Sequence, residues 1–220
     1  TGRHIDHQEW PAQLNRFFQL AALRAAYRHA GDQRYAKCAR DYIEDWIDRH
    51  PPLDPTAGDL GQADNSLNLS IRTGDLRRPG WTGVLSGFLD SEHFDDEFLD
   101  KLVASAEWQL NWLAANLKPW GNWRIAALSA LFCNALRLPD RFGGHLPFAV
   151  EGLNIAFGGQ VLPDGVHIER SAGYHKWMCG VMVELWRIGR KRPQLGLSLD
   201  KVIVVRLHHD RLVALDRAVS

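Results

Sequence analysis

Residues 95–140, DDEFLDKLVASAEWQLNWLAANLKPWGNWRIAALSALFCNALRLPD, decide the fold. Within them Leu99, Leu102, Val103, Ala106, Leu110, Leu113 and Leu117 recur at the spacing that lines up side chains on one face of an α-helix. Asp95 or Asp96 can cap its start, Pro119 stops it, and Trp120-Gly121 turns the chain. Asn122 to Leu138 then carries Ala, Leu and Phe on nearly every side, which predicts a helix buried between neighbours, and Pro139-Asp140 closes it. Two helices joined by so short a turn pack as an antiparallel hairpin.

The same rhythm extends outward. Upstream, Trp10, Leu14, Phe17, Phe18, Ala21 and Ala25 form one stripe that Gly31-Asp32 ends, and Tyr35, Ala39, Tyr42, Ile43, Trp46 and Ile47 form a second, stopped by Pro51-Pro52. Leu53 to Gln62, rich in Pro, Gly and Asp, reads as a loop, Ser66 to Thr73 as a short, poorly patterned apolar piece, and Trp81 to Leu89 as a weak resumption. Downstream, Leu146, Ala149, Val150, Leu153 and Phe157 predict a helix ending near Gly158-Gly159, and Val161 to Gly165 is a turn signature. Tyr174, Trp177, Val181, Leu185 and Ile188 predict a further helix, and the β-branched run Val202 to Val205 sits in a spacing read as helical. The pattern predicts roughly seven to nine helices, with no alternating strand rhythm and no βαβ units, so the fold class is all-α. Such hairpins stack as a solenoid or curl into an α/α toroid. No period of about 34 or 40 residues recurs, which favours the toroid.

The 220 residues hold 26 Lys+Arg and 26 Asp+Glu, so no global field recruits nucleic acid or an anionic membrane, and any anion must be held locally. A 45% hydrophobic and 24% charged composition excludes disorder, and no stretch reaches the length of uncharged residues that a bilayer crossing needs. Thr1 to His7 is polar rather than signal-like. Cys38, Cys133 and Cys179 lie far apart in apolar patterns and read as unpaired buried thiols. No cofactor or metal ion is expected.

Chemistry concentrates at two junctions. Asp164 to His175 places His167, Glu169, Arg170, Tyr174 and His175 within a dozen residues where a loop enters a helix, the place where rigid scaffolds present functional groups; Ser171 is a natural N-cap there. Asn122 opens a buried helix after Trp120-Gly121, where it either caps the helix or faces a ligand. Arg72, beside the apolar piece Leu67 to Ile71, either pairs with a carboxylate or faces an anion. Among nine Trp, those at 46, 108, 112 and 177 lie on helical faces and read as core, whereas Trp81, Trp120 and Trp123 stand beside loops and could stack on sugar rings.

In this order, Gly31-Asp32-Gln33-Arg34-Tyr35-Ala36 with Trp46 and Pro51-Pro52, Ser66 to Arg72 with Trp81, Gly121-Asn122-Trp123, Leu138-Pro139-Asp140, and Gln160 to Gly165 through Glu169-Arg170-Ser171 to Tyr174-His175 resemble the helical domain of the heparinase II/III-like polysaccharide lyases, a group that includes heparin-sulfate and alginate oligosaccharide lyases. The resemblance implies an incomplete α/α toroid, one domain over residues 1–220. It also implies that this chain is a fragment lacking upstream helices and a C-terminal β-sandwich. It implies β-elimination on a uronate-containing acidic polysaccharide such as a glycosaminoglycan or alginate, in the periplasm or outside the cell. By the same resemblance Tyr174 is the proton donor, with His175 its neighbour, and Asn122 neutralises the uronate carboxylate. The candidate substrate contacts are Arg72, Trp81, Trp123, His167, Glu169 and Arg170. A His is common after that Asn in the family, and Trp123 stands there instead.

The reaction explains these residue types. A proton α to an ionised carboxylate is weakly acidic, so donors must meet the charge where it develops, a base must take the C5 proton and an acid must protonate O4. Consecutive helical side chains diverge by about 100°, so His175 points away from whatever Tyr174 touches. Two other readings stay open: a toroid hydrolase pairing Asp164 or Glu169 with Asp64 or Asp75, and a non-catalytic domain that binds polysaccharide or scaffolds a complex. An open rim predicts self-association or partner binding.

Overall fold

The computed structural model describes residues 9–198 except 53, 55, 57 and 59–64. The helix read over Val202–Val205 and the candidate Asp64 lie outside the described residues. Those residues form ten α-helices: α1 Glu9–Asn15, α2 Gln19–Ala30, α3 Gln33–Arg49, α4 Ser66–Thr73, α5 Gly80–Leu85, α6 Asp96–Ala115, α7 Asn122–Arg137, α8 Pro139–Phe142, α9 Leu146–Gln160 and α10 Ala172–Lys191. The only β pairing among them is one antiparallel bridge between Val161 and His167. The all-α expectation holds, and the excess over the predicted count comes from short pieces such as α5 and α8.

The hairpin at 95–140 forms as its pattern requires. Asp95 caps α6, its carboxylate accepting the Phe98 N–H at 2.9 Å, and Leu102, Ala106, Leu110 and Leu113 face inward. Every residue of α7 from Ile125 to Ala135 is buried. The helix is the axle of the larger core, packed against α4 on one side and α9 on another, with Met178, Val181, Met182 and Leu185 of α10 completing the cluster. A second core joins α2, α3 and α5 through Leu20, Ile43, Trp46, Trp81 and Phe88, and Trp108 touches both.

Two expectations fail at the N-terminal side. The single stripe from Trp10 to Ala25 is broken between α1 and α2, where Phe17 takes φ 55°. The break shifts the helical phase, so Trp10, Leu14 and Phe18 face solvent while Phe17 turns edge-on to Trp46 and Trp81. The poorly patterned piece at Ser66 is α4, all but one of whose residues is buried. Its polar side chains are tolerated inside because they bond locally: Asn65 caps the helix by accepting the Asn68 N–H at 3.0 Å, and the Thr73 hydroxyl donates to the Leu69 carbonyl at 2.8 Å.

Candidate functional site

The turn between α6 and α7 meets the end of α9 and the loop that follows it at four hydrogen bonds. The Gly121 N–H donates to Gln160 Oε1 at 2.9 Å, the Asn122 N–H donates to Glu169 Oε1 at 2.8 Å, and the Asn122 side-chain Nδ2 donates to Glu169 Oε1 at 3.1 Å and Oε2 at 2.9 Å. Gly121 is required twice over. Its φ of 87° suits glycine, and a Cβ there would stand 2.7 Å from Glu169 Oε1. Capping of α7 by the Asn122 side chain is not what occurs: Gly121 is the N-cap, and an orphan N–H of the first turn is satisfied by a carboxylate from another part of the chain.

The loop is held to this task by its own bonds. Ile168 N–H donates to the Gln160 carbonyl at 2.9 Å, and Gly165 closes the expected turn by donating to the Leu162 carbonyl at 2.9 Å. His167, fully buried, lies with Nε2 at 3.2 Å from Gln160 Oε1. Because that oxygen accepts, the Nε2 nitrogen carries the hydrogen, and Nδ1 is a buried acceptor with no partner among the described residues. Burial holds the His167 imidazole below the usual histidine range, partly opposed by the nearby Glu169 charge.

Ser171 caps α10 as expected, its hydroxyl accepting the Tyr174 N–H at 3.5 Å. The Tyr174 side chain, on the first turn, is 48% exposed. His175 diverges from it as the helical geometry predicts and is buried, with Nε2 3.4 Å from Cys179 Sγ. Burial pushes the Cys179 thiol up to about 11 and Cys133 to about 12, so neither is a poised nucleophile.

Lys118, Trp120, Asn122, Trp123 and Glu169 line an open groove at this junction. Trp120 is 62% exposed, and Arg124 donates to the Lys118 carbonyl at 3.0 Å, which holds a second cation beside the groove. Arg170 is exposed, with φ 51°. The structure thus gathers Asn122, Trp123, His167 and Glu169, and leaves Tyr174 exposed five residues beyond Glu169.

Two candidates for substrate contact are corrected. Trp81 is 0% exposed, its ring 5.2 Å from Trp46, and it offers no face to a sugar. Arg72 is 0% exposed, bonded to Gln109 Oε1 at 2.8 Å and stacked 3.8 Å over the Trp46 ring. Both were drawn inside because α4 and α5 are core helices, which their weak apolar patterns did not reveal. Of the hydrolase candidates, Asp164 accepts the Val166 N–H within its own turn at 3.0 Å, and Asp75 is buried, held by Arg78 at 2.9 Å. Gln160 was missed as a site residue. The signal for it was its place one residue before the turn signature, which set it to face the glycine preceding Asn122.

The site is thus an amide, a carboxylate and an exposed tryptophan at one open groove of a helix-hairpin scaffold, and comparison with known proteins places that scaffold in a family. The family profile "Heparinase II/III N-terminus" matches residues 3–196, and the chain belongs to that polysaccharide lyase family. It is 26% identical over 170 residues to a heparin-sulfate lyase of Bacteroides thetaiotaomicron, covering 76% of this chain and 23% of that protein. In fold it is similar to the crystal structure of a heparinase III, with a TM-score of 0.79 and 24% identity over 93% of this chain and 31% of the other. The heparan sulfate lyase HepC of Pedobacter heparinus gives a TM-score of 0.73 and 21% identity over 96% of this chain and 32% of its own. The chain therefore spans about a quarter to a third of the length of these relatives. Among the described residues no helix is long and apolar enough to cross a membrane.

Proposed function

We propose that this chain supplies the helical half of the cleft of a lyase that cleaves a uronate-containing acidic polysaccharide by β-elimination, with Asn122 neutralising the uronate carboxylate and Tyr174 protonating the leaving O4. The observation that carries the reading is the Asn122–Glu169 clamp at the mouth of an open groove flanked by Lys118. A ligand carboxylate placed there meets an amide N–H and a cation, while the exposed Trp120 ring and the half-buried Trp123 beside it can stack on adjacent sugar rings. Family membership and the heparin-sulfate lyase relative make heparan-type glycosaminoglycans the first substrates to assay, with hyaluronan and alginate beside them. The same kinship supports action in the periplasm or outside the cell. Removal of the C5 proton falls to a base that this chain's own groove does not single out, and we infer that the cleft is completed by further domains of the full-length protein, an open rim that also suits self-association.

Hydrolysis fits less well, because Glu169 is engaged by three donor contacts and Asp164 by its own turn. Elimination leaves a conjugated, ultraviolet-absorbing product, which hydrolysis of a saturated sugar does not. The decisive experiment is Tyr174→Phe in the full-length protein: turnover should fall at least ~10²-fold with substrate affinity nearly intact. Activity within a few-fold of the parent removes Tyr174 from the mechanism, and tight binding by a parent that never turns over points instead to a polysaccharide-binding domain.

A further inference from the structure

Glu169 is a carboxylate at the edge of a groove whose proposed ligand is also a carboxylate. Like charges at such range repel, so its presence there works against binding unless it does something else. Its bonds say what. Its oxygens accept the backbone N–H of Asn122 at 2.8 Å and the side-chain Nδ2 at 2.9 and 3.1 Å. Two acceptors of one carboxylate lying on the same side of Nδ2 share one of its two hydrogens, and in a planar amide the second hydrogen then points away from Glu169.

An asparagine amide is nearly symmetric in shape but not in polarity. Turned over, it presents its carbonyl oxygen where the NH2 group had been, and a carbonyl oxygen repels an anionic ligand. An ionised carboxylate accepts and never donates, so a carboxylate at 169 can only be met by the NH2 edge. Gly121 lets the carboxylate come this close, and Gln160 fixes the N–H just before it. We propose that Glu169 is a positioning residue that sets the polarity and orientation of the Asn122 amide, so that its second N–H faces the uronate carboxylate as charge develops there. This rests on the reading of Asn122 given above. Glu169 thereby acts through Asn122 and need not touch the substrate, and its repulsion of the ligand is offset by a donor held ready before the substrate arrives.

The test uses the full-length protein on heparan sulfate, followed by ultraviolet absorbance, with kcat, KM and melting temperature measured for Glu169→Ala, Glu169→Gln, Asn122→Ala and the two double variants. Glu169→Ala, which frees the amide to turn, should lower kcat by ~10²-fold, the scale of a small misplacement at a reacting centre. Glu169→Gln keeps one accepting oxygen and loses the charge. It should regain at least ~10-fold of that kcat and bind substrate with a lower KM, a split that a merely structural role would not produce. Because Glu169 acts through Asn122, adding Glu169→Ala to Asn122→Ala should lower kcat no further. Should Glu169→Ala not fold, Glu169→Gln alone and paired with Asn122→Ala carry the same comparison.

Three results overturn the inference: Glu169→Gln as poor as Glu169→Ala, which makes Glu169 a proton-transfer group; losses that multiply in the double variant; or an unchanged kcat with only a lowered melting temperature. Full turnover by Asn122→Ala sinks the uronate reading itself, whereas an inactive Asn122→Ala beside a fully active Glu169→Ala sinks only the positioning role.

Discussion

Two polar clusters in this chain look alike on paper and differ in depth. Around α4, Arg72, Gln109 and Trp46 lie wholly inside, the guanidinium stacked on one ring and bonded to the amide of α6. At the start of α7, Asn122, Glu169 and Gln160 form an equally dense set of bonds, but at the wall of an open groove. Each pairs an amide with a charged group beside tryptophan. Inside, where water is excluded, every such group must be satisfied by the protein, and the cluster is committed to holding helices together. At the groove the amide is half-buried and lines a surface that a ligand can reach, and that difference separates a packing device from a candidate binding site.

The sharpest way to break this contrast is to truncate the buried cluster. Trp81→Ala should destabilise the fold by ~3–5 kcal/mol, the range for removing a large buried aromatic, and Arg72→Ala by ~1–3 kcal/mol, because it leaves Gln109 Oε1 buried without that donor. Both are read by chemical denaturation, and the folded fraction should retain its affinity for substrate. A stable Arg72 variant that had lost polysaccharide binding would erase the distinction between the two clusters.

A smaller effect sharpens the other side. Gly121→Ala forces a side chain into φ 87° and against Glu169 Oε1. The expected loss is ~1–3 kcal/mol of stability from the positive-φ, extended backbone alone, a region only glycine adopts readily. Activity should fall further than that loss explains, because the clamp opens, and comparing melting with turnover on one sample separates the two. An Ala variant with normal turnover would show that the close approach of Glu169 is dispensable.

The smallest effect is in pH. His167 is buried neutral with its folded pKa below the unfolded value, so it contributes stability that is present above about 6.5 and is lost as pH falls through the lower folded value, when the unfolded chain binds the proton first. His145 shifts in the same direction for the same reason. Denaturation midpoints should therefore fall from pH 7 toward pH 5, and His167→Gln should remove part of that slope while leaving the His145 share. An unchanged slope in the variant would place His167 in contact with water.

Much of the fold was legible because amphipathic helices announce themselves. The stripe from Leu99 to Leu117 and the apolar girdle of α7 could bury themselves in only one way. The Tyr174-His175 divergence was equally legible, being a consequence of helical geometry and nothing else. Phe17 was not, because a single residue at positive φ shifts the phase of every side chain before it, and no periodicity reports that. Nor was α4, whose Ser, Asn, Arg and Thr break up the apolar pattern of a core helix.

By itself, then, the sequence determined the all-helical class, the central hairpin, the residues that make the Asp164-Gly165 turn and the family to which the chain belongs. Each follows from spacing, turn chemistry or motif along the chain, and needs no knowledge of what lies across from it. Only the tertiary structure decided that Arg72 and Trp81 are internal, that Gln160 reaches Gly121, and that the carboxylate at 169 answers the amide at 122. Depth and pairing are relations between segments distant in sequence, and burial and hydrogen bonding resolve them only once α4, α7 and the loop before α10 have packed.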